Sequence, residues 1–122
     1  MKIYLAGPMR GVDDMNRPAF REAAEKLRAA GHFVFNPAEH EAGNLRANLG
    51  VDTSWICLVA DAVVLLPGWR QSVGATAEEA LAAALGLFRC EIDVFLGFPA
   101  EAPWDGSDPA AAWLAHARQE RM

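Results

Sequence analysis

A chain of 122 residues suits one domain of ordinary size, and a hydrophobic share of 52% is enough for a packed core rather than a disordered chain. A formal net charge of −5 argues against a nucleic-acid surface, which needs clustered Lys and Arg. No apolar run is long enough to span a bilayer, and the opening MKIYLAGPMRG reads as a first strand rather than a secretory leader, so a cytoplasmic protein without a membrane partner is expected.

Cys57 and Cys90 form no CxxC pair, and each stands in an apolar context, so both are expected as buried free thiols. His32, His40 and His116 are far apart, and no HExxH or Cys/His cluster occurs, so no metal is expected.

In chain order, Lys2 to Ala6 reads as a strand that Gly7-Pro8 stops, followed by a loop from Met9 to Met15. Asn16 is placed to cap a helix with Pro18 in its first turn, and Phe20, Ala23, Ala24, Leu27 and Ala30 keep helical spacing up to Gly31. His32 to Phe35 reads as a second strand ended by Asn36-Pro37, with His32 structural, and residues 38 to 43 read as loop. A second helix is predicted from about Asn44 to Ala60, with Leu45, Leu49, Ile56 and Val59 as its apolar stripe. Asp52 falls on that stripe. A carboxylate there is costly unless paired or functional, and spacing alone leaves a structural Asp at the core rim equally open.

Ala62 to Leu66 reads as a third strand, broken at Pro67-Gly68, and a third helix is predicted from about Val73 to Leu85, closed by Gly86. Glu91 to Leu96 reads as a fourth strand, Gly97 to Pro109 as a loop and Ala110 to Arg118 as a terminal helix. The order βαβαβαβα points to a single-domain α/β fold, a flavodoxin-like or Rossmann-like parallel sheet with helices on both faces. Ligands of such folds bind at the carboxyl ends of the strands, where the 6–11 and 67–74 loops emerge.

Three chain segments therefore bring candidate residues together. The first strand and its loop deliver Tyr4, Gly7 and Arg10. The second helix offers Asp52, and the third strand and helix deliver Ser72, Gly74 and Glu78. Two acids in separate environments are what glycosyl transfer needs, one as nucleophile and one as acid or positioning group. Arg10 could pair with a phosphate or carboxylate, and Gly7 and Gly74 would admit a ligand close to the backbone. Thr76-Ala77-Glu78-Glu79 fits a capping box with Glu79 at its third position, which gives Glu79 a structural role. Glu78 shares a helical face with Leu81, Ala82 and Leu85 and points inward, where a functional and a structural acid are equally open.

The motifs KIYLAGPMRG, GHFVFNPAE, Asp52-Thr-Ser-Trp-Ile followed by ADAVVLLPGW, and SVGATAEEALAAALG stand in an order and spacing that resemble the nucleoside 2-deoxyribosyltransferase-like superfamily, closest to a compact, DUF4406-like branch. They spread over residues 2 to 87, roughly seventy per cent of the chain. The resemblance implies a homodimer or higher homo-oligomer that cleaves the N-glycosidic bond of 2′-deoxynucleosides or their 5′-monophosphates, with no cofactor. It matches Glu78 to the nucleophile, Asp52 to the acid that assists at the nucleobase, and Tyr4 to the hydroxyl that orients the nucleophile. Gly7, Met9, Arg10, Gly11, Ser72 and Gly74 fall on loop positions that hold the sugar or its phosphate. Trp69 could stack on the base, form a lid or make a subunit contact.

The chain departs from the pattern at Ala80, where many transferases have Gly, and at Pro8, where the hydrolase branch often has Ser. Trp69-Arg70-Gln71 is an insertion shared with the compact branch. These departures leave base choice, phosphate recognition and transfer versus hydrolysis open. A non-catalytic nucleotide-binding module, with Glu78 only accepting a hydrogen bond from the sugar, is the alternative from another class.

Overall fold

The computed structural model describes residues 1–40 and 44–97. The expected terminal helix, and the loop before it beyond Gly97, lie outside these residues. Four strands form one all-parallel sheet in the order β2-β1-β3-β4: β1 Lys2–Ala6, β2 Phe33–Phe35, β3 Ala62–Leu65 and β4 Phe88–Glu91. The helices are α1 Arg17–Ala29, α2 Leu45–Leu58, α3 Val73–Ala84 and the short α4 Ile92–Leu96. The fold is therefore α/β, as the element order predicts.

Strand pleating explains the two-layered core. Ile3, Leu5, Ala62 and Val64 point to one face and pack with Phe20, Ala23, Ala24 and Leu27 of α1 and Ile92 of α4. Tyr4, Ala6, Val63 and Leu65 point to the other and pack with Ile56 of α2 and Ala75 and Ala82 of α3. Helices thus cover both faces. The chain leaves β1 toward β2 on one side and returns to β3 on the other, so the loops after β1 and β3 diverge and open a crevice between them.

Several local expectations change. The fourth strand starts three residues earlier than predicted and ends where the predicted one begins, because Leu65 pairs with Glu91. Phe88 and Cys90 alternate inward while Arg89 and Glu91 face solvent, a half-buried edge pattern, and the apolar IDVFL forms α4 instead. Asn16 does not cap α1. Asp14, Met15 and Asn16 all adopt left-handed conformations, and the Asn16 amide donates to the Pro8 carbonyl at 2.9 Å. Thr76 is not a cap either. Ser72 caps α3 by accepting from the Ala75 amide at 3.1 Å, and the Thr76 hydroxyl donates back to the Ser72 carbonyl at 2.8 Å. Glu79 instead pairs with Arg89 at 3.1 Å. Cys90 is buried but Cys57 is exposed, because Asp52 and Ile56 set the inward face of α2 and Cys57 lies one residue beyond it. Gly31 and Gly86 close α1 and α3 with φ of +94° and +71°, the conformation in which glycine has no Cβ penalty.

Candidate active site

Asp52 and Glu78 are the only two acids among the described residues that are buried, with 7% and 5% of their surface exposed. A buried carboxyl needs partners, and both find one in Tyr4. Tyr4 is fully buried in the middle of β1, so its ring packs as core while its hydroxyl must be satisfied from the helix layer. It donates to Glu78 Oε2. The small residues Ala75 and Ala82, one turn to either side, let α3 lie close enough to the sheet for that contact. Asp52 reaches the same cluster from α2, where it interacts with both Tyr4 and Glu78.

The three groups hold less negative charge than their types suggest. Burial pushes the Glu78 carboxyl up to about 8; the Tyr4 hydrogen bond opposes this, and the negative charge of Asp52 and a hydrogen bond to it add to it. Burial also raises Asp52, against the Tyr4 hydrogen bond, the charge of His40 and a hydrogen bond with Glu78. Burial and the neighbouring carboxyls drive the Tyr4 hydroxyl far up, so it remains a donor. Burial thus favours the neutral form of both carboxyls, and their mutual interaction couples the two titrations.

Above the cluster lies a cleft of about 290 Å³ at the β1/β3 divergence. Tyr4, Asp52 and Glu78 line it, together with Gly7, Met9, Arg10, Ser72 and Gly74. Two predicted site residues are elsewhere. Gly11 sits in a turn with φ of +82° and does not line the cleft. Trp69 borders a neighbouring depression of about 230 Å³, where its Nε1 donates to Glu91 at 3.4 Å and Arg70 lies over its ring at 4.6 Å. Gln71 separates the two hollows and lines both.

The two site glycines differ. A Cβ on Gly7 would meet Leu66 Cβ at 2.8 Å, so packing alone demands glycine there. A Cβ on Gly74 would meet Leu45 Cδ1 at 3.6 Å and Ser72 Oγ at 4.0 Å, ordinary contacts, so the fold tolerates one and the cleft's open space is what argues for glycine. Sequence reasoning missed Asn48, which lines the cleft from α2. Its position four residues before Asp52 is the signal that could have found it, since residues so spaced share a helical face.

Among the described residues no group of three or more His, Cys, Asp or Glu is placed to hold a metal ion, and no helix is long and apolar enough to cross a membrane. An all-parallel α/β domain with a buried acid pair at its switch crevice is the class that fold and site define. The chain belongs to the DUF4406 family, a domain of unknown function, whose model matches residues 1–89 and so spans every residue of the acid cluster. No curated protein and no solved structure matches the chain.

Proposed function

We propose that the protein cleaves or transfers the N-glycosidic bond of 2′-deoxynucleosides or their 5′-monophosphates through a covalent deoxyribosyl–Glu78 intermediate. The observation that carries this reading is the convergence of Glu78, Asp52 and the Tyr4 hydroxyl at the floor of one cleft, although they come from three separate elements. In the reactive form Asp52 carries a proton and Glu78 is a carboxylate. Glu78 forms a bond to the anomeric carbon as the bond to the base nitrogen breaks. The departing base keeps the bonding electron pair and takes the proton from Asp52. Tyr4 holds Glu78 Oε2, which leaves the other oxygen to attack. In the second step water (hydrolysis) or an incoming base (transfer) forms a bond to the anomeric carbon as the bond to Glu78 breaks, Glu78 leaves as a carboxylate, and the ionised Asp52 takes the proton that the acceptor loses. Resemblance to the nucleoside 2-deoxyribosyltransferase-like superfamily supports the substrate class, and the first turn of α3 and Arg10 suit an anionic or hydroxyl-rich ligand.

The test is a panel of deoxynucleosides and deoxynucleotides, with and without an acceptor base, read by chromatography for free base. Turnover lost in Glu78→Ala with ligand binding retained supports catalysis. One observation favours the alternative, a nucleotide-binding module: the raised Glu78 carboxyl holds a proton near neutral pH, and a neutral carboxyl binds a sugar hydroxyl without attacking it. Wild type that binds nucleotides and releases base from none of them would establish that alternative. An assembled homo-oligomer, expected from the resemblance, is checked by light scattering.

A further inference from the structure

A hollow of about 260 Å³ lies between α1 and the turn Pro37–Glu39 that follows β2. The turn separates it from the cleft: Pro37 lines the cleft, while Asn36 and Ala38 line the hollow. Arg17, Arg21 and Arg28 line it from α1, where residues four and eleven apart return to the same helical face. Glu25 and Glu39 line it too, so three guanidiniums against two carboxylates leave one positive charge, in a chain whose net charge is −5.

The donors of this hollow are only partly used. Arg17 pairs with Asp14 at 2.9 Å. Arg28 donates to the Val34 carbonyl at 3.0 Å and to Glu39 at 2.9 Å, both from Nη2, and among the described residues nothing accepts from its Nη1 or Nε. Arg21 forms no ion pair among the described residues. Asn36 is only 3% exposed. Its Oδ1 accepts from the Ala38 N–H at 2.9 Å and so caps the turn, which leaves Nδ2 as the free end of the amide. Among the described residues nothing accepts from that Nδ2. Burying two amide protons without an acceptor is unfavourable, and a ligand oxygen in the hollow would satisfy them.

We propose that this hollow binds a phosphate-type anion, held by Arg21, Arg28 and the Asn36 amide, at a site distinct from the cleft. The donors come from two directions, α1 and the turn. A tetrahedral phosphate group presents oxygens to both, whereas a flat carboxylate is matched by a single guanidinium fork. A phosphate ester also brings about 1.5–2 negative charges at neutral pH, more than a carboxylate can set against Glu25 and Glu39. The site does not rest on the glycosyl-transfer reading.

The test is a proton–nitrogen NMR titration of the full chain that follows the Asn36 side-chain amide and the Arg21 and Arg28 Nε–H signals. Inorganic phosphate and glycerol 3-phosphate are the probes, a free ion and an ester, each set against sodium chloride at equal ionic strength. A saturating shift is expected with at least one phosphate and none with chloride, and the tighter probe tells whether the site takes the ion or an ester. Arg21→Gln is expected to weaken binding about tenfold or more. Asn36→Asp keeps an oxygen for the cap, replaces the donor by a negative charge and is expected to abolish binding. Arg21 is exposed, so its variant keeps the test intact even where Asn36→Asp unfolds the turn. Lys26→Gln removes an α1 charge that pairs with Glu22 outside the hollow, and Arg10→Gln removes a cation of the cleft; both are expected to bind as wild type does. Shifts that chloride reproduces, that do not saturate, or that Lys26→Gln weakens as much as Arg21→Gln would overturn the site. Binding lost in Arg10→Gln and kept in Arg21→Gln would put the anion in the cleft and overturn it equally. The titration needs no turnover, so a substrate panel without free base would defeat the glycosyl reading and leave this test standing.

Discussion

The two faces of the sheet use the same strands for different ends. On the α1 face, Ile3, Leu5 and Val64 meet Phe20 and Leu27 in an apolar cluster, and neither buried acid lies there. On the α2–α3 face, Tyr4 meets two acids, and the neighbouring core residues include Ala6, Ala60, Ala75 and Ala82. The first face fills its volume with carbon and supplies stability. The second keeps room for carboxyls whose burial is unfavourable, which is the expected signature of a site rather than of a scaffold.

The contrast is broken most sharply by one substitution on each face. Glu78→Gln is expected to reduce base release by about 10³-fold or more, as loss of a nucleophile does, with the fold intact by circular dichroism. Leu27→Ala, fully buried on the opposite face, is expected to cost about 2–5 kcal/mol in a denaturant titration and to leave turnover per folded molecule unchanged. Equal effects of the two on both readouts would erase the distinction between the faces.

The pH dependence of stability sharpens it further. Glu78 is raised from 4.5 to about 8, so the folded protein holds a proton that the unfolded chain releases. The stability tied to that proton is present below the lower value and is lost as pH rises through the upper one. Glu78→Gln cannot ionise. It is expected to match wild type near pH 5 and to exceed it by on the order of 2 kcal/mol at pH 8, read as a rising gap in denaturant midpoint. A constant gap across that range would show that Glu78 does not carry the proton.

The smallest effects separate the two glycines. Gly7→Ala is expected to destabilise by about 1–3 kcal/mol, because its Cβ would overlap Leu66. Gly74→Ala is expected to leave stability unchanged or raise it by up to about 1 kcal/mol, since alanine suits a helix better, and to raise KM by narrowing the cleft. Unfolding of both variants alike would remove the argument that Gly74 serves the cleft.

Much of this was legible in the residues for identifiable reasons. β1 and β3 are buried on both faces and read as unbroken apolar runs, and α1 carries a regular stripe ended by Gly31. β4 was not, because an edge strand with Arg89 and Glu91 facing solvent looks less strand-like than the apolar helix that follows it. At the site, the inward face of α3 separates Glu78 from Glu79 correctly, though for another reason than the cap: Glu79 is drawn aside by Arg89. Asp52 stood out because a charge on an apolar stripe requires an explanation. Asn48 did not, since a half-buried polar residue breaks no apolar pattern, and only its four-residue spacing from Asp52 points to the shared face. Trp69 shows the converse: an aromatic close to the candidate site in sequence has its indole N–H turned to Glu91.

The most direct test of the central claim is a rapid acid quench of the full chain with a deoxynucleoside or deoxynucleotide, followed by peptide mass spectrometry. The account predicts a mass increase of one deoxyribosyl group, or its 5′-phosphate, on the peptide carrying Glu78, absent from Glu78→Gln and accumulating in Asp52→Asn only with substrates whose base leaves without protonation. A sugar adduct on any other residue, or base release with no adduct at any time point, would contradict it.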